Sequence, residues 1–178
     1  MTGPVGGRLI GLIAADLPGH RLTREKDGTA IFVPDGGGPT VEVGVRVEKR
    51  FLGRTEVARF RTVIPARSSG KGRLSVTQTG RFRRQGIALQ VAEGTESTAR
   101  FAGTLRVDPE FAESATRLDF TRFDIDLDGE NCIATIELMG GSLVSIAFPP
   151  IRSYVRLHED QREALMASLV ALERITGD

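Results

Sequence analysis

Tryptophan is absent from the 178 residues, and cysteine and tyrosine occur once each, as Cys132 and Tyr154. A single cysteine rules out an internal disulfide and a cysteine-based zinc site. Lysine is also scarce, present only as Lys26, Lys49 and Lys71, so the positive charge is almost all arginine. Such a bias follows a GC-rich genome as readily as a function and carries no functional weight. Histidine is confined to His20 and His158, neither of them in an H-E-x-x-H pattern or beside a nucleophile motif. The longest apolar run near the start, Leu9 to Ala15, stops at Asp16, well short of the roughly 20 residues a membrane span needs. The region ahead of it carries only Arg8, and no clear cleavage site follows, so an export signal is disfavoured and the cytoplasm is the expected setting.

What is present is a globular composition, 40% hydrophobic and 26% charged, in a chain long enough for one domain over residues 1–178. Residues 8–18 read as a short helix, with Leu9, Ile10, Ile13 and Leu17 on one face and Pro18-Gly19 as its stop. Two short strands joined at Lys26-Asp27-Gly28 follow. Val41, Val43, Val45 and Val47 then alternate with Glu42, Gly44, Arg46 and Glu48, the pattern of a half-buried strand. Residues 56–64 are its expected hairpin partner, and two more short strands are expected between 73 and 92. Asp108-Pro109-Glu110 predicts a short helix over 109–116: Asp caps the first free amides, Pro suits the first turn and Glu the helix dipole. Strands are expected again at 118–127, 131–138, 142–148 and 151–157. The closing helix is marked by Asp160 and Glu163 at capping-box spacing, by Leu165, Leu169 and Leu172, and by Thr176-Gly177.

This order predicts an α+β fold: a mainly antiparallel, curved β-sheet with a short N-terminal helix, a middle helix and a long C-terminal helix packed on the sheet. In element order it is similar to lipid- and ligand-cavity domains. The stretch G-G-S-L-V-S-I-A-F-P-P-I-R-S-Y-V-R-L, residues 140–157, followed by the E-D-Q-R-E-A-L helix, looks like the end of an uncharacterised bacterial protein family. That resemblance covers the last third of the chain. It implies a bacterial source and no particular chemistry.

The segment D-I-D-L-D-G-E-N, residues 124–131, has the opening spacing of an EF-hand loop. The pattern then fails, because Asn131 and Thr135 stand where an apolar residue and a bidentate Glu belong. Phe123, Ile125 and Leu127 alternate with the aspartates as a strand does, so a hairpin is expected and no metal. A two-residue Asp128-Gly129 turn sets Ile125 opposite Cys132; a four-residue turn shifts the pairs but keeps both apolar sets on one face.

Charge is distributed unevenly. Residues 41–90 hold twelve Arg or Lys against three Glu, a net of +9, and residues 91–178 hold eight Arg against sixteen acids, a net of −8. Alternation places Arg46, Arg59 and Arg61 on one sheet face, with Arg81 and Arg83 on a nearby strand, as a candidate anion-binding surface. The competing expectation is that this basic face meets the acidic half, within the molecule or across a dimer. Nucleic acid is disfavoured because Phe60 and Phe82 alternate away from the arginines and no Trp offers a stacking platform. Arg152, Tyr154 and Arg156 alternate on the polar face of a strand and form a candidate ligand-binding row. S-S-G-K-G-R at 68–73 lacks the P-loop pattern, G-G-S at 140–142 lacks the nucleophile elbow, and Cys132 falls on the apolar side of its strand.

No catalytic residue and no cofactor is indicated. The expected function is non-enzymatic binding of a small ligand or protein partner. Two alternatives stand beside it: an enzyme using carboxylates and arginines in a cavity, and a charge-driven homo-oligomer or anion-binding module.

Overall fold

A computed structural model describes residues 7–26, 28–66, 70–80 and 86–177. Helix α1 (Gly7–Asp16) leads into strands β1 (His20–Lys26), β2 (Thr29–Pro34), β3 (Val41–Arg50), β4 (Gly53–Pro65), β5 (Lys71–Thr79) and β6 (Gly86–Gly94). Helices α2 (Glu96–Val107) and α3 (Pro109–Arg117) follow, then β7 (Phe120–Asp128), β8 (Asn131–Ile146), β9 (Ile151–Val155) and the closing α4 (Glu159–Gly177). The strands form one open antiparallel sheet in the order β1-β2-β3-β4-β8-β7-β5-β6, with β9 beside β8 as well. The expected α+β plan is what the chain adopts. The middle of the chain holds two helices rather than one: Gly103 and the threonines of 96–107 lower helix propensity, but Ala102 and Leu105 are buried in the core, and this packing outweighs it.

Period-two alternation decides which face is covered. Val43, Phe60, Ile136 and Phe123 are cross-strand neighbours in one row over four strands, and all are buried. The helices pack on this face, α1 over β3, β4 and β8, α4 over β4 and β8, and α2 and α3 over β6. Leu9, Ile10 and Ile13 of α1 join Leu165, Leu169 and Leu172 of α4 in the same core. Phe111 of α3 meets Phe123 edge-on, with ring centroids 5.9 Å apart. The opposite face of the sheet carries most of the charged letters of β3, β4 and β7, together with apolar ones such as Val57 and Val144.

The β7–β8 hairpin pairs Leu127 with Cys132, Ile125 with Ala134 and Phe123 with Ile136, the longer of the two expected turns. Asp128 sets it by accepting the backbone N–H groups of Glu130 and Asn131 at 2.8 and 2.7 Å. Asp128 is therefore turn chemistry, while Asp124 and Asp126 lie within β7.

Asp108 behaves as its sequence context predicts, accepting the Phe111 N–H at 2.8 Å as the cap of α3. It also receives Arg174 from the last turn of α4 at 2.6 Å, which ties the start of one helix to the end of the other. Asp108→Ala is expected to lower stability by about 1 kcal/mol, the usual cost of a lost cap. Urea titration of Asp108→Ala and Asp108→Asn checks this, because Asn keeps the cap acceptor and recovers most of the loss.

Candidate functional site

On the helix-free face, strand register brings the basic and acidic regions together. Gly44, Arg59, Glu137 and Arg122 form one row over β3, β4, β8 and β7. The next row is Glu42, Arg61, Thr135 and Asp124. Arg61 reaches Glu42 at 3.5 Å, Arg122 reaches Asp124 at 2.5 Å, and Arg73 of β5 reaches Asp126 at 2.5 Å. Two carboxylates of the acidic half thus meet cations of residues 41–90 inside the molecule, Glu137 taking Arg46 and Arg59 and Asp126 taking Arg73, because β4 lies against β8 and β5 against β7.

Glu137 is the centre of this face. Its side chain is 2% exposed, and Arg46 grips it with two bonds, Nε to Oε1 at 3.0 Å and Nη2 to Oε2 at 2.6 Å. Arg59 adds Nε to Oε1 at 3.1 Å, and Glu48 takes Nη1 of Arg46 at 2.6 Å. Burial alone raises the Glu137 pKa, but the guanidiniums of Arg46 and Arg59 outweigh it and leave the carboxyl below its ordinary value. Glu137 accordingly stays ionised at neutral pH, and its bond holds Arg46 still more firmly protonated.

Beside this cluster β8 is interrupted. Val57 of β4 lies opposite Ser142 and Arg59 opposite Glu137, so the single residue Ala58 spans residues 138–141 of β8. The bulge requires Gly141, whose φ of +76° is a left-handed conformation that costs other residues more. Ser142 closes it with an Oγ bond to the Met139 carbonyl at 2.7 Å. The result is a depression of ≈ 600 Å³ with Arg46, Glu48, Arg122 and Glu137 among its polar walls. Val57, Leu138, Met139, Val144 and Val155 supply its apolar ones.

The second candidate row has a different environment. Tyr154 and Arg156 face Asp16, the last residue of α1, which is buried. The Tyr154 hydroxyl donates to Oδ2 at 2.7 Å, the Leu157 N–H to the same oxygen at 2.9 Å, and Arg156 Nη2 to Oδ1 at 3.1 Å. Burial raises the Asp16 pKa, yet these three partners together bring it below its ordinary value. Tyr154 is pushed up, first by burial and then by the same bond. Arg152 is exposed on β9, opposite Ser145. Arg81 and Arg83 lie outside the described residues, as do Ser68 and Ser69 of the glycine-rich loop. Cys132 is buried on the core face, and burial pushes its thiol up to about 12. Among the described residues no group of three or more His, Cys, Asp or Glu is placed to hold a metal ion. Among them, too, no helix is long and apolar enough to cross a membrane.

Arg46 and Arg59 sharing a face was legible from alternation; the residue that joins them was not singled out. Glu137 is the one acid on β8, on the open face between Ile136 and Leu138, and a lone acid in a largely apolar strand was the available signal. Asp16 carried a similar one, as the single charge ending an apolar helix.

Fold and site together define a helix-backed antiparallel sheet with an ion-paired, indented open face. No curated protein and no solved structure is found to match the chain. The chain belongs to the family described as "Protein of unknown function (DUF3156)", whose model matches residues 15–176, so the kinship extends well beyond the C-terminal third.

Glu137→Gln removes the charge that two guanidiniums share. A loss of about 1–2 kcal/mol is expected, less than for a fully enclosed pair because both arginines reach solvent. The folded-state pKa of Glu137 is depressed, so its stabilising contribution is complete above the ordinary value of about 4.3 and disappears as pH falls through the lower folded value. Denaturation of wild type and Glu137→Gln across acid pH is expected to show the gap between them closing in that window.

Proposed function

We propose that the chain is a non-enzymatic binding module, working in a reducing cytoplasmic setting, whose open sheet face takes a small amphipathic ligand. The observation that carries this is the ≈ 600 Å³ depression, a volume within the range of about 300–1,000 Å³ used for small molecules. Its walls divide the ligand's chemistry. A hydrogen-bonding end meets Arg46, Thr55, Thr121 and Ser142, and an apolar body lies along Met139, Val144 and Val155. The guanidiniums of Arg46, Arg59 and Arg61 already have carboxylate partners. This favours a polar but not strongly anionic head, and leaves these three arginines without unmatched charge to drive self-association.

The same geometry weighs against the enzyme alternative. Glu137 is locked as an ion between two cations, which suits orientation and not proton shuttling at neutral pH. Cys132 is a buried, protonated thiol on the other face.

Native mass spectrometry of the purified chain is expected to show an adduct of small-molecule mass. The fluorescent probe 8-anilinonaphthalene-1-sulfonate, amphipathic itself, serves as a direct reporter of the site. Met139→Asp, a change at an exposed position of the rim, is expected to weaken probe binding by roughly tenfold through lost apolar contact. Equal binding by wild type and variant would move the site elsewhere.

A further inference from the structure

Two hairpin tips meet at one corner of the sheet. The β3–β4 turn presents Phe51 and Leu52, and the β8–β9 turn presents Phe148, Pro149 and Pro150. Gly53 lies opposite Ile146, and the Ala147 N–H donates to the Leu52 carbonyl at 2.8 Å, so the tips stand side by side. Their approach depends on Gly53, where an added Cβ would lie 2.1 Å from the Ser145 carbonyl oxygen. Phe51 is fully exposed, Phe148 is 83% exposed and Leu52 58%. Ile146 and Ile151, paired in the row behind them, are also exposed. Single exposed apolar residues are unremarkable, but a contiguous group of five at a projecting corner marks a contact surface.

The next row inward is basic. Lys49 is opposite Arg54, Arg54 opposite Ser145, and Ser145 opposite Arg152, which sets three cations across four strands. Arg54 shares its charge with Glu56 at 3.0 Å. Lys49 and Arg152 are exposed and have no carboxylate partner among the described residues. An apolar projection backed by unmatched cations complements one surface in particular: a bilayer whose acyl region lies beneath anionic headgroups. A second copy of the corner fits poorly, because the two basic rows would face each other.

We infer that this corner docks on an anionic lipid surface. Phe51, Leu52 and Phe148 enter the boundary of the acyl layer, while Lys49 and Arg152 meet the headgroup phosphates. The inference is independent of the depression and its ligand.

Co-sedimentation of the full chain with vesicles tests it, using equal parts phosphatidylcholine and phosphatidylglycerol against phosphatidylcholine alone. Wild type is expected to pellet with the mixed vesicles and far less with the neutral ones. Phe51→Ser with Phe148→Ser is expected to lower partitioning by at least about tenfold, given the transfer energy of two aromatic side chains. Lys49→Glu with Arg152→Glu is expected to lower it by about tenfold or more, given the attraction of each cation to the leaflet. Val107→Ser, an exposed apolar position on α2, is expected to leave it unchanged. All these positions are exposed, and matching melting curves confirm that each variant is folded. The inference is overturned by absence of binding to the mixed vesicles, by equal binding to neutral ones, or by a tip variant that pellets like wild type.

Discussion

An ionised carboxylate with almost no access to water lies on the face of the sheet that no helix covers. Desolvating such a group is costly unless opposite charge and hydrogen bonds replace the water. At Glu137 the replacement comes from β3 and β4 in the form of Arg46 and Arg59. Those bonds constrain how β3, β4 and β8 sit, because the guanidinium fork of Arg46 must reach across β4 to close on both carboxylate oxygens. The sheet thus has two cohesive faces. One is the apolar row of Val43, Phe60, Ile136 and Phe123; the other is a lattice of paired ions one residue out of phase with it.

The break in β8 follows from serving two neighbours in turn. Its first half pairs with β7 and its second with β9, on the side away from β4. Residues 138–141 absorb the mismatch, and the indentation opens where the ladder is interrupted. The second half of β8 then runs on to the exposed corner, with Val144 and Ile146 on the same face as the depression. One strand therefore links the polar floor, the apolar rim and the projecting tips.

How much of this was legible in the sequence depended on how local the signal is. The valine alternation of β3, the Asp108-Pro109 cap and the leucine stripe of α4 are each set within a few residues, and each is found where expected. The unequal charge halves were visible by counting, and alternation put Arg46, Arg59 and Arg61 on one face. That Arg46 and Arg59 meet Glu137 was not visible, because it depends on β4 choosing β8, a pairing between residues 78 apart at Arg59 and Glu137. Helix α2 was obscured for a related reason: its propensity is poor, and its stability comes from burying Ala102 and Leu105 on tertiary neighbours. Tyr154 and Arg156 read as a polar row on a strand, and only the return of α1 supplies the buried carboxylate to which they point.

That last contact has a bearing on how the chain reaches its native state. The side-chain oxygens of Asp16 bind groups 138 to 141 residues later, and its carbonyl accepts Arg162 a further turn along. Contacts of such sequence separation close slowly, and synthesis from the N-terminus delivers their partners last. α1 is therefore made well before the groups that anchor it. Until β9 leaves the ribosome, a charged helix end and the apolar stripe of Leu9, Ile10 and Ile13 lack their final hold. The nascent chain is most exposed to misassociation during that interval.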